Sequence, residues 1–303
     1  MAEEDATRAG PGARSAEVLE QLLAVAIDPG LYLVATPIGN LGDITLRALA
    51  ALARADVVYC EDTRRSRILL AHFAISRALR AYHEHNAERE RPRILAELAA
   101  GKSVVLISDA GTPLVSDPGY KLVREAIAAG HRVASLPGPS SLLAALACAG
   151  VPTDTFLFAG FLPARAPARR TRLAQLQGIA ATLVFFETSS RLAACLEDLS
   201  AVLGARATVV ARELTKVHEE LRRGTPAELL AWANAAAPRG ELVLLVAPPP
   251  PPAVTDAAIA ARLDPLIARM RLSEAARVVA EELGVARARV YDLALALRQQ
   301  GKR

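Results

Sequence analysis

The chain has 303 residues, a formal net charge of +4 and a pI near 9.2. That length accommodates two domains with separate cores and a smaller third. The modest positive excess permits a polyanionic partner without demanding one, and an aromatic share of 4% argues against a broad platform for stacking single-stranded nucleic acid. Cys60, Cys148 and Cys195 are widely separated and form no C-x-x-C, so they read as buried thiols in a reducing cytoplasm. His83-Glu84-His85 lacks the spacing of a helical metal-binding pair, and no metal site is expected.

Residues 1–30 lack an apolar run and read as a flexible arm, with a short helix at most over residues 17–27. No apolar stretch reaches membrane-spanning length. From residue 31 the pattern alternates strand and helix. Strands are predicted at 31–35, 57–61, 104–108 and 133–136. Helices are predicted at 43–53, 63–72, 87–100, 117–129 and from 139 to 149. Asp43 reads as the cap of the first of these, with Ile44, Ala48 and Leu52 on one face. This is a mostly parallel open sheet with helices on both faces, assigned to residues 31–152.

A second α/β unit is assigned to residues 153–247. Its strands are predicted at 182–187, 207–212 and 241–246, and its helices at 190–203 and 226–234. Between the two units, aromatic Phe156, Phe158 and Phe161 precede basic Arg165, Arg169, Arg170 and Arg172. The run Pro248 to Pro252 opens a stiff extended linker placed at 248–262. Residues 263–303 read as a helix-turn-helix-like module. There Ala275, Val279 and Leu283 share one helix face, Gly284 ends that helix, and Val290, Leu293 and Leu297 stripe the next.

Four loops follow the carboxyl ends of the first unit's strands, where open α/β sheets bind ligands. They are TPIGNLG (36–42), EDTRR (61–65), SDAGTP with SDPG (108–113 and 116–119), and PGPSS (137–141). Each has an ordinary explanation. Glycine and proline serve turns. Asp117-Pro118 reads as a helix start with aspartate as cap. Ser140 and Ser141 can cap the following helix, and Glu61-Asp62 the helix from Thr63. Those explanations leave unaccounted for the placement of all four loops on one edge. The first loop lacks G-x-G-x-x-G, which disfavours a dinucleotide. There is no nucleophile elbow and no P-loop lysine, so covalent catalysis and phosphoryl transfer are disfavoured too.

TPIGNLGDITLRAL, EDTR, SDAGTPLVSDPGY, LPGPSS, GFLP, RELTK and GELVLLV occur in that order. Together they resemble the tetrapyrrole methylase superfamily of S-adenosylmethionine-dependent enzymes, in its branch that methylates small-subunit ribosomal RNA. The resemblance runs from about Leu31 to the C-terminus. It implies two α/β domains with S-adenosyl-L-methionine in the cleft between them, and a homodimer. It also implies 2′-O-methylation of a cytidine in the decoding region of 16S rRNA, within the small ribosomal subunit. Carried across the motifs, the donor contacts fall on Ile38, Ser108, Asp109, Thr112, Ser140, Ser141, Glu187 and Leu214, with no metal. The third loop reads Ser-Asp-Ala where the superfamily has Gly-Asp-Pro. On the acceptor side the candidates are Glu61, Asp62 and Arg64, with Glu213 and Lys216 second. An ion-pair network at the cleft mouth explains those five equally well. The arginines 165–172 are a candidate phosphate-contacting patch; the C-terminal module, with Arg287, Arg289 and Arg298, is a candidate for holding RNA or ribosomal protein, or else a packing or dimerisation element. Two other readings remain open: a corrin or porphyrin methylase of the same superfamily, and a non-enzymatic helix-turn-helix regulator with a ligand-sensing domain.

Overall fold

The computed structural model describes residues 10–250 and 254–300, and the chain divides into two compact units between Pro249 and Pro250. The first unit holds two five-stranded sheets. Its elements begin with α1 (Pro11–Ala24), β1 (Gly30–Val34), α2 (Leu46–Arg54), β2 (Val57–Cys60) and α3 (Thr63–His72). They continue with β3 (Leu79–Ala81), α4 (Ala87–Ala99), β4 (Ser103–Ile107), α5 (Tyr120–Ala128), β5 (Val133–Leu136) and α6 (Ser141–Ala149). The first sheet has the order β3-β2-β4-β1-β5 and is parallel throughout.

Its three central strands, β2, β4 and β1, are buried on both faces, so they read as unbroken apolar runs. Residues alternate between two cores. Tyr32, Val34, Val58, Cys60, Val105 and Ile107 face α2, while Leu31, Tyr59, Val104 and Leu106 face Ile94 of α4 and Leu122 of α5. The cap of α2 differs from expectation. Thr45, not Asp43, accepts from the Ala48 N–H, at 3.1 Å, and Asp43 lies in a preceding 3-10 turn, Leu41–Asp43. The 3-10 turn ends at Asp43, and the backbone takes up the α-helical conformation only after Thr45. The N-terminal arm also differs, since residues 11–24 form α1. Its half-buried Leu19 and Leu23 line an apolar groove with Leu49, Phe73 and Ile75. The rest of the arm, residues 1–9, lies outside the described residues.

The second sheet comprises β6 (Phe156–Phe161), β7 (Thr182–Thr188), β8 (Thr208–Arg212), β9 (Glu220–Gly224) and β10 (Glu241–Val246), in the order β6-β7-β10-β8-β9. Only β6 and β7 are parallel; the other pairs are antiparallel. One face packs on α7 (Ala166–Leu176), α8 (Leu192–Leu203) and α9 (Pro226–Ala236), burying Leu183, Phe185, Val210, Leu242 and Leu244 with Leu173, Leu196 and Leu229. The other face, with Val184, Val209, Ala211, Val243 and Leu245, packs on Ala145 and Leu146 of α6 and on Ile38. Burying a side chain of the size of Ile38 contributes about 1.5–3 kcal/mol. This shared core holds the two sheets in one compact unit.

The described residues of the second unit form a three-helix cluster: α10 (Asp256–Ile267), α11 (Leu272–Leu283) and α12 (Arg287–Gln300). Ala275 and Val279 of α11 and Val290 of α12 are fully buried, and Gly284 closes α11 in the left-handed conformation at φ 62°. Helix α10 occupies positions the sequence reading gave largely to the linker. Its Ala-rich run has low amphipathic contrast and contains Pro265, yet Ile259 and Leu263 are fully buried and Thr255 caps it. Of the proline run, Pro251 and Pro252 lie outside the described residues. No described helix is long and apolar enough to cross a membrane.

Candidate functional site

The four loops at the carboxyl edge of the first sheet are tied to one another by specific bonds. Thr36 and Gly111 exchange backbone hydrogen bonds at 2.9 and 3.0 Å, joining the loops after β1 and β4. Thr36 Oγ1 donates to the Ser108 carbonyl at 3.2 Å. The Asp62 N–H donates to Asp109 Oδ1 at 2.9 Å, joining the loops after β2 and β4. Thr112 Oγ1 donates to the Pro139 carbonyl at 3.2 Å, joining the loops after β4 and β5. Gly111 is needed where it stands. Its φ is +80°, and an added Cβ would lie 3.3 Å from Ile38 Cγ2.

Above these loops is a cavity of about 330 Å³. One wall carries Glu61, Arg65, Asp109, Thr112, Asp117, Ser140 and Ser141; the facing wall, from the second sheet, carries Phe161, Phe186, Glu187, Ala211, Leu214 and Val243. Phe186 meets Phe158 and Phe161 edge-on, with ring centroids 4.8 and 5.7 Å apart. Strain gathers at this site. Among the described residues, the non-glycine residues at positive φ include Leu114 (72°) and Ser116 (68°) beside one wall, and Glu213 (50°) and Thr215 (66°) beside the other. Such conformations cost about 1–3 kcal/mol each and cluster at functional sites.

The electrostatics separate the carboxylates into two kinds. Asp109 is engaged, with Arg65 at 3.6 Å in addition to the Asp62 N–H. Glu241 receives Lys216 Nζ at 2.9 Å. Glu187 Oε1 accepts from the Thr188 N–H at 2.8 Å and lies 3.1 Å from Arg191 Nε, while its buried Oε2 has no hydrogen-bond partner. Asp117 and Glu61 are the other kind. Burial, and next the charge of Glu61, raise the Asp117 carboxyl to about 6. Burial, and next the charge of Asp109, raise Glu61 above the usual carboxylate range.

Of the residues expected on the donor side, Ile38, Asp109, Thr112, Ser140, Ser141, Glu187 and Leu214 all line the cavity. Ser108 does not. It is buried behind the loop, with its hydroxyl donating to the carbonyls of Ala110 and Gly111. Of the acceptor-side candidates only Glu61 lines the cavity. Asp62 caps α3 through the Arg64 N–H, and its bonds to the Arg64 guanidinium and N–H hold it at about 2. Arg64 turns outward, with 85% of its side chain exposed. Glu213 and Lys216 pair with each other at 2.9 Å. Burial opposes the Lys216 charge, but Glu213 and Glu241 hold its amine above the usual range, which unfits it as a proton acceptor.

Other expectations are corrected. Asp117 caps nothing: α5 starts at Tyr120, with Gly119 as the capping position. Arg169 is not a surface phosphate contact, being 3% exposed. Its Nε donates to Asp198 Oδ2 at 2.6 Å and its Nη atoms to the carbonyls of Ala164 and Ala194 at 3.0 and 3.2 Å. Arg170 shares Asp198, and Arg289 donates to Asp256 Oδ1. Cys148 is exposed, whereas Cys60 and Cys195 are buried. Sequence reasoning missed Arg65, Asp117, Phe161 and Phe186 as cavity residues. The doubled Ser-Asp of the third loop was the available signal for Asp117. Nothing local distinguished Arg65 from Arg64.

The family described as Tetrapyrrole (Corrin/Porphyrin) Methylases matches residues 30–230, and the RsmI C-terminal HTH domain matches residues 253–298. A Mesorhizobium japonicum protein named Ribosomal RNA small subunit methyltransferase I is 51% identical over 280 residues, covering 92% of this chain and 95% of its own. A protein of the same name from Escherichia coli O157:H7 is 45% identical over 275 residues, covering 89% and 96%. Among solved structures, a cobalamin biosynthetic enzyme, cobalt precorrin-4 methyltransferase, is similar at a TM-score of 0.54 and 22% identity, over 72% of this chain and 94% of its own. A uroporphyrin-III C-methyl transferase from Thermus thermophilus, complexed with S-adenyl homocysteine, gives 0.50 and 22%, over 71% and 96%. At that identity the two structures establish a common fold.

Proposed function

Because this chain belongs to the tetrapyrrole methylase family, and within it to the ribosomal RNA small subunit methyltransferase I group, we propose that it uses S-adenosylmethionine to methylate the 2′-hydroxyl of a cytidine in the decoding region of 16S rRNA. The observation that carries this reading is the extent of the similarity. It runs over 92% of the chain in a relative of that name and includes the separate C-terminal match at 253–298, whereas the corrin and porphyrin enzymes cover 71–72%.

The cavity suits the donor. Ile38, Ala211, Leu214 and Val243 offer an apolar surface to a purine, and Asp109, Thr112, Ser140 and Ser141 offer polar contacts. The unpartnered Glu187 Oε2 is an acceptor for a hydroxyl or ammonium group. The bound donor supplies a methyl group already activated on a positively charged sulfur. The chain's own task is to hold the ribose oxygen in line, exclude water and take up a proton, and orientation provides most of the acceleration. The bonds among the four loops hold their side chains in one arrangement along the edge.

Mapping of 2′-O-methylcytidine in 16S rRNA by mass spectrometry, from cells with and without this protein, tests the proposal. Loss of one decoding-region modification is expected; an unchanged map refutes it. Methylation of a corrin or porphyrin by the purified protein would favour the first alternative. Tight binding to a defined duplex without methyl transfer would favour the regulator. We propose a homodimer in the cytoplasm, acting on the small ribosomal subunit, which light scattering and co-sedimentation with subunits would check.

A further inference from the structure

Five carboxylates line the cavity: Glu61, Asp109, Asp117, Glu187 and Glu241. Three are committed to partners: Asp109 to the Asp62 N–H and Arg65, Glu187 to the Thr188 N–H and Arg191, and Glu241 to Lys216. Of the remaining two, Glu61 faces cationic Arg65 as well as His83, with Asp109 and Asp62 nearby. Asp117 faces Glu61, Asp109 and the Ser108 hydroxyl, and makes no ion pair among the described residues. A carboxylate whose charged neighbours are both anionic gains more than the others by accepting a proton. The backbone is arranged to present it. Leu114 at φ 72° and Ser116 at φ 68° place Asp117 on the cavity, while Gly119 takes over the start of α5.

We propose that Asp117 is the catalytic proton acceptor for the attacking ribose hydroxyl, an inference that rests on the methyl-transfer reading above. The hydroxyl oxygen forms the new C–O bond with the methyl carbon of a methylsulfonium donor. The C–S bond breaks with its electron pair kept on sulfur, and the hydroxyl proton passes to the Asp117 carboxylate. The sulfonium charge and the carboxylate charge vanish together, and the proton leaves later to water. Burial, and next the charge of Glu61, keep Asp117 receptive. With its carboxyl raised to about 6, Asp117 is ionised at neutral pH yet close to it in basicity, as a general base requires.

The test compares the full-length wild type with Asp117→Asn and Asp117→Glu, using unmodified small subunits and S-adenosylmethionine. Rates are followed across the pH range, and the affinity for S-adenosylhomocysteine is measured by calorimetry. Asp117→Asn is expected to lower kcat by about 10²–10⁴-fold, the usual worth of a general base. It should also abolish the acidic limb of the kcat profile, with donor affinity and subunit KM held within about threefold. Asp117→Glu should recover part of kcat and keep an acidic limb. Retained kcat in Asp117→Asn, an unmoved acidic limb, or a loss of donor affinity parallel to the loss of kcat would each overturn the assignment. The wild-type arm separates the two claims: absence of methyl transfer there refutes the functional reading itself and the catalytic role with it.

Discussion

The two sheets of the first unit contribute unlike things to one cavity. The parallel sheet brings loops: acidic, hydroxylic and glycine-bearing segments cross-tied by the Thr36–Gly111, Asp62–Asp109 and Thr112–Pro139 bonds. The mixed sheet brings a largely apolar wall from its own strands, with Phe161, Phe186, Ala211 and Val243 on the cavity. Parallel strands deliver all their carboxyl ends to one edge, so chemistry gathers there. Antiparallel strands scatter their ends, and what they offer a ligand is a face. Lesions in the first half should therefore damage function, and lesions in the second half stability.

The largest expected effect lies in the second half. Arg169→Ala leaves Asp198, whose side chain is 1% exposed, without its buried partner. It should cost about 3 kcal/mol in urea unfolding, the low end for breaking a buried pair, because the half-exposed Arg170 still holds Asp198. Arg172→Ala, on the same helix but exposed, should stay within about 0.5 kcal/mol of wild type. Equal effects for the two would dissolve the contrast. Next, Asp109→Ala removes the acceptor that joins two loops and lines the cavity proposed to hold the donor. A loss of about 1.5–3 kcal/mol in donor affinity by calorimetry, with a smaller change in stability, is expected.

Asp117→Asn sharpens the contrast from the other side, because a site residue should be bad for stability. The Asp117 carboxyl is raised from 3.8 to about 6, so the folded chain binds its proton more tightly than the unfolded one. Stability is lost as pH rises through that window and stays lost above it. Asp117→Asn should accordingly be more stable than wild type at pH 8, by up to about 2 kcal/mol in urea titrations, and the two should converge by about pH 4. The smallest effect belongs to the second half again. Thr225 and Glu228 form a reciprocal cap on α9, and Thr225→Ala should cost about 1 kcal/mol in the same assay.

Much of this fold was legible, and the misses have a pattern. Every strand not foreseen lies at a sheet edge: β3 in the first sheet, β6 and β9 in the second. The β9 segment ELRRG is polar because an edge strand need not be buried on both faces. Asp43 and Asp117 failed as caps for a shared reason. A capping residue type marks a turn, but the backbone dihedrals of the neighbouring residues decide where the helix begins. Arg169 could not be told from Arg172 by its own segment, because the difference is made by Asp198, on another helix.

The sequence by itself determined the things that repeat along the chain. The apolar runs of the parallel strands, the motif loops at their ends and the stripes of the last two helices each carry a period or a spacing that a single segment expresses. Only the tertiary structure decided which charges are spent and which are free. Asp62, Glu213, Lys216 and Arg169 are neutralised by partners, and Asp117 is not. A side chain's ionisation and availability depend on desolvation and on charges brought close by the fold, several of them from residues distant in the chain.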